Sequence, residues 1–231
     1  MTAGRTGPAL PPRRPDPVVP VGLPDTGRVW YAAYGSNLLR ARFDCYLAGG
    51  RPPGAARTYP GCRDPRPPAA DTALLLAGSV YFAGDSGVWG GGLAQLDPQA
   101  PDESPGRGYL LTVQQVADVA AQEMHRVPGA APDLDLAAAL APGRHRLGPG
   151  RYETVVCCGT LDGRPVLTLT TSVDGADDPL AAPSARYLKV LLAGLGEAHG
   201  WPPDRAARHL AARPGAAGRW TAAGILAACA D

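Results

Sequence analysis

Charge of one sign is the first thing this sequence lacks: 22 basic residues stand against 21 acidic ones, a net charge of +1 over 231 residues. No stretch gathers Lys and Arg into the stripe that a phosphate backbone requires, which excludes nucleic acid as an expected partner. Long apolar runs are also missing. No segment reaches 18 consecutive apolar residues, and the N-terminus has no apolar core of a signal sequence, so no membrane association is expected and the setting is read as cytoplasmic. The five cysteines are odd in number and without metal-type spacing, and the four histidines contain no H-x-x-x-H pair. Neither a disulfide framework nor a local zinc site is indicated, and no cofactor motif is present.

What remains is ordinary globular composition, 45% hydrophobic with 19% charged, in a chain long enough to bury a substantial core. Residues 1–27 are the exception. They carry seven prolines between Pro8 and Pro24 and few apolar groups, so they cannot offset their own ordering entropy and are expected to form a disordered or surface-draped arm. Residues 28–231 are expected to form one domain.

The stretch VWYAAYGSNLLRARF, residues 29–43, passes from β-branched and aromatic residues to apolar groups at helical spacing (Leu39, Phe43, then Tyr46 and Leu47). A strand joined to a helix through Gly35-Ser36-Asn37 is predicted. The runs 72–83, 88–96 and 107–113 are predicted strands bounded by Gly, Pro and Asp. Residues 114–124 have helical periodicity, and one further turn of helix is expected in LDLAAAL. In 151–172, Asp162-Gly163 between two β-prone runs predicts a type I′ hairpin. Ser184 is a candidate N-cap for a helix that carries Tyr187, Val190, Leu191, Gly194 and Leu195 on one stripe and ends at Gly200. A last helix is expected near 203–212. Strands that cluster before helices, without strict βα alternation, suggest an α+β fold: a mixed or antiparallel sheet closed toward a small barrel, with helices outside.

Three places could carry chemistry. Glu123 follows Val116 by seven residues and Val119 by four, on the apolar stripe of its helix and at its C-terminal end. Desolvation and the helix dipole would both raise its pKa, as suits a general base. The alternative is a structural Glu paired with Arg126 or another arginine, or turned to solvent. The backbone N–H groups of Gly35, Ser36, Asn37 and Leu38 could hold a carboxylate or phosphate, or could simply be the start of a capped helix. Tyr187 fits a core position as well as a cavity wall.

YGSNL after a first strand, QQVADVAAQE and PSARYLKVLLAGLGEAHG together resemble, in order, three segments of the γ-glutamylcyclotransferase-like superfamily, over roughly residues 29–212. The resemblance implies a mixed β-barrel with flanking helices and one cavity, in which a γ-glutamyl amide is converted to 5-oxoproline and a free amine without metal or cofactor. Carried over by position, Tyr34, Gly35, Ser36, Asn37 and Leu38 would hold the substrate's glutamyl end, Glu123 would be the acid/base, and Tyr187 a hydroxyl lining the cavity. Departures from the family pattern are Ala32, where an aromatic is common, Met124 in place of Gly, and a longer segment 72–113. A ligand-binding member without catalysis and a metal-dependent amidohydrolase or deacetylase are the rival expectations.

Overall fold

The structure, a computed structural model, describes residues 11–18, 27–52, 57–130, 135–140, 143–148, 152–171 and 179–230. Its strands are β1 (Arg28–Ala33), β2 (Asp71–Ala77), β3 (Ser79–Ala83), β4 (Leu93–Asp97), β5 (Glu103–Thr112), β6 (Arg144–Arg146), β7 (Thr154–Leu161) and β8 (Arg164–Thr170). Its helices are α1 (Arg40–Ala48), α2 (Val113–Glu123), α3 (Leu136–Leu140), α4 (Ala185–His199), α5 (Pro203–Ala211) and α6 (Ala222–Cys229), and a 3-10 turn covers Ser36–Leu38. Six strands form one mixed sheet in the order β2-β5-β1-β8-β7-β6, and β3 pairs with β4 in a separate hairpin. The β1–β8 pair is parallel and the others are antiparallel.

Side chains alternate across a strand, and β1 uses both faces. Trp30 and Ala32 enter a core with Leu74, Leu76, Leu188 and Leu191 on the α4 side. Val29, Tyr31 and Ala33 enter a second core with Phe43, Tyr46, Tyr109, Val116 and Val119 on the α1–α2 side. Burial on both faces explains why 29–33 reads as a continuous apolar run rather than an alternating one.

The run 72–83 is two strands, not one. Gly78 sits at φ +109, and an added Cβ would lie 2.4 Å from the Asp97 carbonyl oxygen, so only glycine makes this corner and sends β3 out of the large sheet. Only the second half of 88–96 is strand, while Val88–Trp89 lie in a turn. Strand β5 starts at Glu103, four residues before the predicted strand 107–113. The Asp162-Gly163 turn has positive φ at both positions, 52° and 69°, as type I′ requires. Helix α4 keeps its predicted caps: the Ser184 hydroxyl accepts the Tyr187 N–H, and Gly200 is left-handed at φ 63. Strand β6 and helix α6 had not been anticipated.

Residues 11–18 of the N-terminal segment drape over the sheet. Arg13 bridges Leu74 on the outer edge of β2, and Asp16 bridges Thr160 at the β7 irregularity. In a flat sheet Arg13 would stand five strand spacings from β7, about 24 Å. Three extended residues reach only about 10 Å. The sheet is therefore curled, with this strap across the gap. The expected barrel is corrected to that extent: the described strands make an open, curled sheet and a hairpin, and they do not close by strand pairing.

Candidate active site

Where β1 ends, the chain passes through Gly35 into the Ser36–Leu38 turn and then α1. Two groups on β5 fix this loop from behind: the Tyr109 hydroxyl donates to the Asn37 carbonyl at 2.8 Å, and Arg107 Nη1 donates to the Leu38 carbonyl at 3.2 Å. Arg107 is itself held by Asp71 and by Glu197 of α4. The loop is thus gripped at its carbonyls, and its side chains are free to serve the other face. Gly35 packs against α4, where a Cβ would stand 3.2 Å from the Tyr187 hydroxyl.

Helix α2 brings Glu123 to the same place. Thr112 and Gln115 close a capping box at its start, fixing the helix register, so that its last residue lies beside the loop. Asn37 Nδ2 donates to Glu123 Oε1 at 2.9 Å and, more weakly, to the Tyr31 hydroxyl at 3.4 Å. Desolvation pushes the Glu123 carboxyl above the usual range, against the opposing pull of Arg42, of hydrogen bonds from Tyr46 and Asn37, and of Arg57. Arg126, one of the arginines considered as a structural partner, instead pairs with Glu153 at 2.5 Å.

These groups line one cavity of about 540 Å³, whose walls include Tyr34, Gly35, Ser36, Asn37, Glu123 and Tyr187. Six of the seven residues singled out in the sequence are thereby gathered. Leu38 is not among them: its side chain is buried beneath α4, where Gly194 leaves just enough room, since a Cβ there would come within 2.6 Å of Leu38 Cβ. Its N–H is also spent, on the Gly35 carbonyl at 2.9 Å. Tyr187 is both core and cavity wall. Its hydroxyl accepts the Ala94 N–H at 3.3 Å, its ring stacks on Trp89 at 5.5 Å, and burial raises its pKa to about 12, so it remains a neutral phenol. The Tyr34 hydroxyl donates to the Leu169 carbonyl at 2.7 Å, which turns it into a fixed wall.

Further cavity residues escaped the sequence reading, among them Arg42, Tyr59, Trp89 and Tyr152. A signal existed for Arg42. It lies three residues after Leu39 and four before Tyr46, on the apolar stripe of α1, as Glu123 does on α2. Tyr59, Trp89 and Tyr152 lie in irregular segments, where no periodicity marks a direction. Among the described residues, no group of three His, Cys, Asp or Glu side chains is placed to hold a metal ion, and no helix is long and apolar enough to cross a membrane.

No family model matches the sequence. A curated protein named Histone deacetylase 5, from Arabidopsis thaliana, is 32% identical over 185 residues, which is 73% of this chain and 28% of that protein. The chain thus spans less than a third of that relative, whose name describes the whole protein. Solved structures align with it, among them the following two. One is an uncharacterized Homo sapiens protein, with a TM-score of 0.49 and 18% identity over 89% of this chain and 99% of that one. The other is a gamma-glutamyl cyclotransferase, with a TM-score of 0.49 and 18% identity over 88% of this chain and 98% of that one.

Proposed function

We propose that this chain is a γ-glutamylcyclotransferase-like enzyme that releases 5-oxoproline and a free amine from a γ-glutamyl amide, with Glu123 as its acid/base. The observation that carries this reading is the Asn37–Glu123 contact. A carboxylate with a raised pKa is held at 2.9 Å by the side chain of the glycine-bearing loop, inside a cavity large enough for a small molecule.

The carboxylate of Glu123 takes a proton from the substrate's α-ammonium. The freed amine attacks its own γ-carbonyl carbon, forming the ring C–N bond and placing negative charge on the carbonyl oxygen. As that charge returns, the bond to the departing nitrogen breaks and protonated Glu123 gives it a proton; the ring nitrogen, which still carries two hydrogens, then passes one through Glu123 to the released amine, which leaves as an ammonium ion beside the neutral lactam. A raised pKa suits a group that must both accept and donate. Since the nucleophile is tethered to its electrophile, the protein mainly has to hold the chain curled and meet the oxyanion, tasks suited to the backbone donors at Ser36 and Asn37. Every proton in this sequence moves on protein or substrate groups, so the reaction as proposed draws on no metal or cofactor.

Residues 28–231 are proposed to act as one catalytic domain on a small molecule, without nucleic acid or membrane as partner. A cytoplasmic setting is proposed with it, consistent with all five cysteines being free. The test is to incubate the protein with a panel of γ-glutamyl amino acids, amines and peptides and follow 5-oxoproline. Release that vanishes in Glu123→Gln supports the assignment. Tight binding of a panel member without release would favour the non-catalytic reading.

A further inference from the structure

Arg42 is a cation in the wrong place for a structural residue. It is 4% exposed and lines the same cavity as Glu123. Buried charges in proteins are ordinarily paired with an opposite charge. Among the described residues, the polar partners of Arg42 are two neutral hydroxyls: Nε donates to Ser36 Oγ at 2.7 Å and Nη2 to the Tyr59 hydroxyl at 2.7 Å. Nη1 is buried and, among the described residues, has no hydrogen-bond partner. Glu123 acts on the guanidinium through space, but its Oε1 is engaged by Asn37.

The surroundings hold that guanidinium rigid. Its carbon lies 4.7 Å from the centre of the Trp89 ring, 5.4 Å from that of Tyr59 and 5.7 Å from that of Tyr46. Aromatic faces favour a cation and fix its plane. A locked, charged fork with one unused N–H, on the wall of a cavity that also contains the proposed acid/base, has the features of an anion receptor: planar geometry, preorganisation and a desolvated setting. A second guanidinium, that of Arg57, lies 5.5 Å from the centre of the Tyr59 ring and adds positive charge to this wall.

We propose that Arg42 holds a carboxylate of the substrate through Nη1, which makes it a binding residue at this site. The proposal rests on the cyclotransferase reading and extends it. A γ-glutamyl amino acid offers two carboxylates, the α-carboxylate of the glutamyl half and the carboxylate of the amine half. Either supplies an anion for Nη1, which no group among the described residues hydrogen-bonds.

The experiment compares γ-glutamylalanine with γ-glutamylethylamide, which is the same molecule without the carboxylate of the amine half. Steady-state 5-oxoproline release is measured with the wild type, Arg42→Gln and Arg42→Lys, each checked for a cooperative thermal transition. A hydrogen bond to a charged group contributes about 1.5–3 kcal/mol, so Arg42→Gln should raise KM about ten- to hundredfold. Loss on both compounds assigns the α-carboxylate, and loss on γ-glutamylalanine alone assigns the amine half. Arg42→Lys, which keeps the charge without the fork, should recover part of the affinity. Unchanged KM for both compounds, or a fall in kcat alone, overturns the proposal. If Arg42→Gln does not fold, an unchanged KM in Arg42→Lys does the same. A wild type that releases no 5-oxoproline overturns the cyclotransferase reading separately. Calorimetric titration of wild type and Arg42→Lys with γ-glutamylalanine then decides the matter, and equal affinity counts against Arg42.

Discussion

Replacing Glu123 by Gln separates a catalytic carboxylate from a structural one, because the two roles predict opposite effects on stability. The wild-type carboxylate accepts from Asn37 Nδ2 at 2.9 Å and feels Arg42 and Arg57, yet its pKa is raised, with burial the largest cause. The charged form is therefore disfavoured in the folded state relative to the unfolded chain. A carboxyl whose folded pKa lies above its unfolded value contributes stability that is complete below the unfolded pKa and is lost as pH rises through the folded one. At pH 7 the charge is a net cost. Glutamine keeps an acceptor for Asn37 and gives up only the charge-assisted part of that bond, about 1 kcal/mol, while the desolvation cost disappears. Stability at pH 7 should hold or rise, and the stability difference between wild type and variant should shrink as pH falls. Activity should go the other way. Loss of general acid/base catalysis is worth at least about a hundredfold, or roughly 3 kcal/mol in barrier. Urea unfolding at several pH values and the rate of 5-oxoproline release give both numbers on the same preparations. A variant that retains turnover on a confirmed substrate refutes the mechanism, whereas one that is inactive and also loses stability shows Glu123 to be a structural ion-pair partner.

Gly35→Ala should lower stability by about 1 kcal/mol and weaken substrate binding, because its Cβ would sit 3.2 Å from a Tyr187 hydroxyl that Ala94 holds in place. Adding Tyr187→Phe, which removes that oxygen, should recover the stability in urea melts, and no recovery would mean that the strain lies elsewhere. Deleting residues 1–18 should cost about 2 kcal/mol in unfolding free energy, since Arg13 and Asp16 exchange four backbone hydrogen bonds with Ala73, Leu75 and Thr160. A truncated protein as stable as the full chain would show the strap to be passive. Arg107→Met should cost about 2 kcal/mol, because it leaves Asp71 and Glu197 with only their weaker contacts to Arg40, at 3.9 Å and 3.4 Å, and releases the Leu38 carbonyl. The same variant should raise KM through the loosened loop, and kinetics alongside thermal melts would show whether the two effects occur together.

Much of the site was legible because its residues mark local transitions. Gly35-Ser36-Asn37 stood where a strand-like pattern gave way to a helical one, and Glu123 stood on an apolar stripe, which is unusual enough to notice. Arg42 was equally anomalous on its own stripe, but α1 is short and mixed, and its neighbours Arg40 and Asp44 make a charge there look ordinary. Leu38 was assigned to the site because it belongs to the motif. The turn that aims Asn37 at Glu123 points the next side chain the other way, into the core.

The sequence by itself determined the elements whose physics is short in range. The Ser184 and Gly200 caps bound α4, the Asp162-Gly163 turn sets the β7–β8 register, and the period of 114–124 marks α2 to within one residue; each depends on residues a few positions apart. The tertiary structure decided what meets across the chain. It split 72–83 at Gly78 because the backbone there runs against Asp97, and it curled the sheet until residues 13–16 could span from β2 to β7. It also brought Tyr59, Trp89 and Tyr152 from three irregular segments onto one cavity with Arg42 and Glu123. Those contacts join residues tens of positions apart. Their geometry follows from how two cores pack on the two faces of one sheet, which no local pattern encodes.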